Sequence, residues 1–163
     1  MRSCACTGLV GRGLKYLCDC GRVGRMKIIE RKSVPRNSYG RIIFNNQDLE
    51  EHEKETVFYL SKFGFDVETL VPSNVPKSKN PDLLMLGTVW EIKGPRKYNE
   101  ATIQTKFRKA VKQSGGRAVF DLRNLRRDDD KTEEYIMKLF RLARGMKRVM
   151  IIRKNGQLLD IIK

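Results

Sequence analysis

The chain has 163 residues, 40% apolar and 33% charged, and carries a net charge of +15 from 34 basic and 19 acidic side chains. That length suits one domain with a sizeable core, and no apolar run approaches the ~20 residues that span a bilayer. The basic surplus exceeds what solubility needs and points to a polyanionic partner, nucleic acid ahead of an anionic membrane surface, because the basic residues are spread over several segments instead of one amphipathic helix.

Residues 1–25 form a Cys/Gly/Arg-rich tail. Gly11, Arg12 and Gly13 interrupt what would be the apolar block of a signal peptide, so the expected setting is a soluble protein, cytoplasmic at its site of action and without membrane insertion. All four cysteines lie in the tail, as Cys4, Cys6, Cys18 and Cys20. Two close thiolate pairs suit tetrahedral Zn²⁺, although one intervening residue is tighter than the usual two. The alternative is a disordered tail ahead of a domain at 26–163.

Two short strands are expected at 26–30 and 41–44, around a turn rich in Pro, Asn, Ser and Gly. Asn46 or Asp48 caps a helix that runs to about Phe63 and is stopped by Gly64. A strand follows at 67–71 and a loop at 72–81. The segments 83–86 and 89–93 form a hairpin with Gly87 in its turn. Residues 99–113 are helical, with Ile103, Phe107, Ala110 and Val111 on one face, and Gly115-Gly116 ends them. A strand at 118–122 leads into a solvated Arg/Asp loop. A helix at 131–144 follows, and then strands at 149–152 and 158–162 flank Asn155-Gly156. The fold class is therefore α/β, a three-layer-like α/β sandwich with a central mixed sheet.

Charge is out of place in the hairpin, NPDLLMLGTVWEIKGP at 80–95. Side chains alternate along a strand, so Glu91 and Lys93 share a face. A turn centred on Leu86-Gly87 sets Asp82 across from Glu91, and a turn one residue later sets it across from Lys93. In either register the three groups converge, with facing Cβ atoms about 5 Å apart. Two carboxylates that close raise a pKa unless a cation joins them, and a hard divalent ion, Mg²⁺ or Mn²⁺, suits oxygen ligands. Glu53 sits within the Leu49/Val57/Leu60 stripe of the preceding helix and is the third acid, whereas Glu55 projects nearly opposite. The plain alternatives are a Glu favoured by the helix dipole and a surface ion pair between Lys93 and Asp82.

This set points to metal-assisted hydrolysis of a phosphodiester, with Asp82, Glu91 and Glu53 as metal ligands and Lys93 steadying the transition state. Arg96, Lys97, Lys106, Lys109, Lys112 and Arg117, on and around the next helix, would grip phosphates, unless they form only a solvated face. His52, the lone histidine, argues against a histidine-driven ribonuclease, which needs two acid/base groups.

Pro81-Asp82 followed by Glu91-Ile92-Lys93 resembles the motif of the PD-(D/E)xK phosphodiesterase superfamily, which implies a restriction-endonuclease-like core. Four longer stretches, EKETVFYLSKFGFDVETL, KNPDLLMLGTVWEIKGP, TIQTKFRKAVKQSGGRAVFDL and VMIIRKNGQLLDI, look like the C-terminal toxin domains of contact-dependent growth inhibition (CdiA) proteins. That resemblance implies metal-dependent cleavage of tRNA in a target cell and a cognate immunity protein. It carries the helix acid onto Glu53 or Glu55 and the motif onto Asp82, Glu91 and Lys93. The chain reads as free-standing, without a secreted stalk, and its tail has no counterpart in those domains. The competing expectations are a DNA nuclease of a mobile element and a nucleic-acid-binding protein without catalysis.

Overall fold

The computed structural model describes residues 26–163 apart from Gln47, Lys77 and Asp128, together with the backbone of a short strand at Leu14–Lys15. The four cysteines and their expected zinc site lie outside the described residues. Among the described residues the strands are β1 (Leu14–Lys15), β2 (Lys27–Arg31), β3 (Ile42–Phe44), β4 (Val67–Thr69), β5 (Leu83–Met85), β6 (Thr88–Lys93), β7 (Arg117–Asp121), β8 (Arg148–Ile152) and β9 (Leu158–Ile162). The helices are α1 (Glu51–Ser61), α2 (Glu100–Ser114) and α3 (Asp129–Leu142). All nine strands join one sheet in the order β1-β2-β9-β8-β7-β6-β5-β4-β3.

The sheet is mixed, as expected. Strands β6, β7 and β8 run parallel, connected by α2 and α3, and β3 runs parallel to β4 across α1. The other pairings are antiparallel. One face packs Ala118, Phe120, Val149 and Ile151 against Ile103 and Phe107 of α2 and Ile136 and Phe140 of α3. The other packs Trp90, Ile92, Val119 and Met150 against Val57 and Leu60 of α1. This is the three-layer sandwich, and alternation along each strand sorts its side chains between two cores.

Several local expectations are corrected. The strands expected at 26–30 and 41–44 exist but sit far apart, β2 beside β9 and β3 at the opposite edge. Fully buried Asp160 of β9 explains the first placement. It accepts from Arg31 Nε at 2.7 Å and from Arg148 Nε at 2.7 Å, so Arg31 ties β2 to β9. Helix α1 is capped by neither Asn46 nor Asp48. The Asn46 side chain accepts from the Asp48 amide at 2.9 Å, and Glu50 and Glu53 form a capping box instead. The Arg/Asp stretch is not solvated throughout: Leu125 is 1% exposed, whereas Arg126 and Arg127 are exposed. Asp129 and Asp130 already belong to the first turn of α3, where carboxylates suit the helix dipole.

Tyr59 ties α1 to the β8–β9 turn. Its hydroxyl donates to Gly156 O at 2.6 Å, and the Arg123 guanidinium lies 4.1 Å above its ring. Tyr59→Phe removes that hydrogen bond and keeps the ring. The expected cost is about 1 kcal/mol, measured as a lower urea midpoint with an unchanged slope.

Candidate active site

The β5–β6 turn decides the register. Met85 pairs with Thr88, which leaves Leu86 (φ 54°) and Gly87 (φ 67°) as a two-residue turn. Left-handed conformation at both positions matches the twist of a tight hairpin. Leu83 then pairs with Trp90, and the next position along sets Asp82 opposite Glu91. The regular pairing stops there, and the Asp82 carboxylate takes the place of a backbone acceptor: the Ile92 amide donates to Asp82 Oδ2 at 2.6 Å. On the other edge of β6, Glu91 pairs with Ala118 and Lys93 with Phe120, so both functional side chains project on the α2 side.

Glu91 is 2% exposed. Lys93 Nζ donates to its Oε1, while Oε2 is buried without a hydrogen-bond partner. Burial first, and the Asp82 charge second, push the Glu91 carboxyl up to about 7, against the pull of Lys93. Burial likewise raises Asp82 to about 6, opposed by the Ile92 amide and by Lys93. Glu53, half-buried in the first turn of α1, adds a negative charge that raises both. Glu55 is exposed, so of the two helix acids only Glu53 acts on this pair.

An open cleft of about 500 Å³ lies beside these groups. Glu50, His52 and Glu53 line it from α1, Lys93 to Lys97 from the end of β6, and Asn99, Thr102 and Lys106 from α2. Burial and the neighbouring charge of Lys93 lower the Lys106 pKa, and Lys109 and Arg96 act in the same direction. Cations crowded to that extent favour an anion among them.

The expected phosphate-binding set therefore divides. Arg96, Lys97 and Lys106 line the cleft, and Lys109 stands near enough to act on Lys106. Lys112 is exposed in the last turn of α2 and does not line the cleft. Arg117 begins β7, at the strand end opposite Asp121, and also lies away from it. Among the described residues no three His, Cys, Asp or Glu side chains are already gathered as a metal cage.

The sequence weighs His52 only against a histidine-driven ribonuclease and gives it no place in the site. His52 is half-buried, lines the cleft, and has Nδ1 3.2 Å from Glu50 Oε2. A Cβ on Gly94 would stand 3.1 Å from His52 Cδ2, so the glycine leaves room for the ring. The available signal was its place in the same helical turn as Glu53.

Fold and site together define an α/β sandwich with a buried glutamate beside a partly buried aspartate, and a lysine at the carboxyl end of a central strand that lines a basic cleft. Residues 79–158 match the family model of the contact-dependent growth inhibition CdiA C-terminal domain. The fold is similar to that of a chain in the CdiA-CT/CdiI toxin and immunity complex from Burkholderia pseudomallei, with a TM-score of 0.59 and 21% identity over 76% of this chain and 100% of that one. No curated protein matches the chain.

Proposed function

We propose that this chain is a toxin domain of the contact-dependent growth inhibition kind. On this reading it is a metal-dependent nuclease that cuts RNA, with tRNA as the leading substrate, in the cytoplasm of a target cell. The observation that carries the reading is Glu91 Oε2, a buried carboxylate oxygen without a partner, next to the Asp82 carboxylate and to Lys93, which lines the basic cleft. Such an atom is costly to bury alone, and a cation would satisfy it. Support for the toxin role comes from the family match over residues 79–158, and support for a cognate immunity protein from the complex in which the similar fold occurs.

The residues fit a divalent ion. Mg²⁺ commonly takes only one or two protein carboxylates, with water and substrate phosphate completing its shell. Glu91 and Asp82 would hold it, and Glu53 would add charge from α1. When bound, the ion supplies charge neutralisation at the phosphodiester and a nucleophile competent at neutral pH. Lys93, already against Glu91, would orient the cleaved phosphate and stabilise its growing charge. Lys106, Arg96 and Lys97 would hold the flanking phosphates. On this reading Asp82, Glu91 and Lys93 would fill the three roles of the PD-(D/E)xK motif.

The test is incubation of the purified protein with total RNA and with plasmid DNA, each with Mg²⁺, Mn²⁺ or EDTA. Discrete RNA fragments with metal and none with EDTA are expected. Lys93→Ala is expected to lower the rate about 10²–10³-fold, as for loss of one preorganised charge donor. Binding without cleavage under every divalent ion would leave a nucleic-acid-binding protein, and cleavage confined to DNA would replace the substrate.

A further inference from the structure

Adjoining the open cleft of the candidate site is another of about 340 Å³, lined by His52, Gly94, Arg96, Asp121, Asn124 and Arg126. His52, Gly94 and Arg96 line both, so a single wall separates them. At Gly94 the His52 ring packs against the backbone of that wall, where a Cβ would meet the ring at 3.1 Å. A hydrogen bond joins the loops on either side: the Arg126 amide donates to Arg96 O at 3.1 Å. Leu125, 1% exposed, anchors the second loop in the core. Two arginines distant in sequence thereby reach one cleft.

The chemistry of the lining selects its ligand. Asp121 supplies the one carboxylate among these residues, and it is already neutralised. It is 4% exposed, its Oδ2 accepts from Arg123 Nη2 at 2.6 Å and from the Thr56 hydroxyl at 2.7 Å, and its Oδ1 accepts from Arg123 Nε at 3.0 Å. Among the described residues neither Arg96 nor Arg126 has an ion-pair partner, and the Asn124 side chain is exposed. Two free guanidinium groups match a phosphate, and a side-chain amide matches the hydrogen-bonding edge of a base. The volume falls at the small end of ligand sites, fitting one nucleotide and not a duplex.

We propose that this second cleft is a nucleotide subsite. It takes the nucleotide next to the cleaved phosphodiester, with Arg96 and Arg126 holding its phosphate and Asn124 reading its base. The strand passes from one cleft to the other along the shared wall of His52, Gly94 and Arg96. This rests on the nuclease reading above and adds a site of sequence preference to it.

Arg126→Ala and Asn124→Ala test it, since both side chains are exposed. With single-stranded oligoribonucleotides of varied sequence, Arg126→Ala is expected to raise KM about tenfold for every sequence and to reduce the salt slope of binding by about one, with kcat unchanged. Asn124→Ala is expected to relax the preference at one position beside the cut by about tenfold, moving the cut-site pattern. Binding to a Glu91→Gln background, followed by fluorescence anisotropy, should show the same Arg126 effect without turnover. Parental KM, salt slope and cut-site pattern in both variants would overturn the subsite and leave the nuclease standing. A parent that neither cleaves nor binds any polynucleotide would remove both.

Discussion

Glu91→Gln is expected to abolish cleavage and, at pH 8, to yield a more stable protein than the parent. The two effects share one cause. Folding buries Glu91 beside Asp82 and raises both carboxyls, to about 7 and about 6, so at pH 8 the metal-free site holds two ionised groups against their tendency to take up protons. Glutamine keeps the size of the side chain and an oxygen that can accept from Lys93 while removing one charge. The expected gain is roughly 1–2 kcal/mol at pH 8, vanishing near pH 4, where the parent carboxyl is also neutral. Activity should fall by more than the ~10–100-fold typical of a residue that only supports a metal ligand. Urea unfolding at both pH values and an RNA cleavage assay read the two halves. A folded Glu91→Gln protein with parental turnover would end the active-site assignment, whereas lost turnover with unchanged stability would contradict only the electrostatic account.

That strained pair was legible because its signal is local. Two registers of the hairpin were open, and in both the two-residue alternation gathers Asp82, Glu91 and Lys93 without knowledge of the rest of the sheet; the Leu86-Gly87 turn selects the one with Asp82 opposite Glu91. The helical phase that separates Glu53 from Glu55 is equally local. Long-range placement was hidden. Residues 27–31 and 42–44 each read as strands, but nothing in their alternation says that one pairs with β9 and the other with β4. The Arg31–Asp160–Arg148 cluster, with Asp160 buried at its centre, helps to make that choice, and its members become neighbours only after folding. His52 was discounted for lack of a second acid/base group, while its neighbour Glu50 was hidden in the expectation that Asn46 or Asp48 began the helix. The second cleft needs Arg96 and Arg126 on loops that meet through one backbone hydrogen bond, a contact without a periodic trace.

Binding of Mn²⁺ or Mg²⁺ should compete with protons at this site. In the metal-free protein the folded carboxyls titrate near 6 and 7, against ordinary values of 3.8 and 4.5. Between those limits the folded state binds more protons than the unfolded one, so stability falls as pH rises from about 4 to about 7 and stays low above that. Lys93 moderates the fall by favouring both ionised forms, and Glu53 deepens it. A divalent ion held by these carboxylates would bind the deprotonated pair, so its stabilisation should have the opposite trend, nearly absent at pH 5 and full at pH 8. At a concentration a hundredfold above its dissociation constant, an ion that binds only the folded state adds about 2.7 kcal/mol. The measurement is the thermal midpoint with Mn²⁺ or with EDTA at the two pH values, for the parent and for Glu91→Gln. The parent should show a metal-dependent rise at pH 8 that EDTA reverses, and the variant should lose most of it. An equal rise at both pH values, or one retained in the variant, would put the ion on other ligands and leave the unpartnered Glu91 oxygen to be explained by substrate alone.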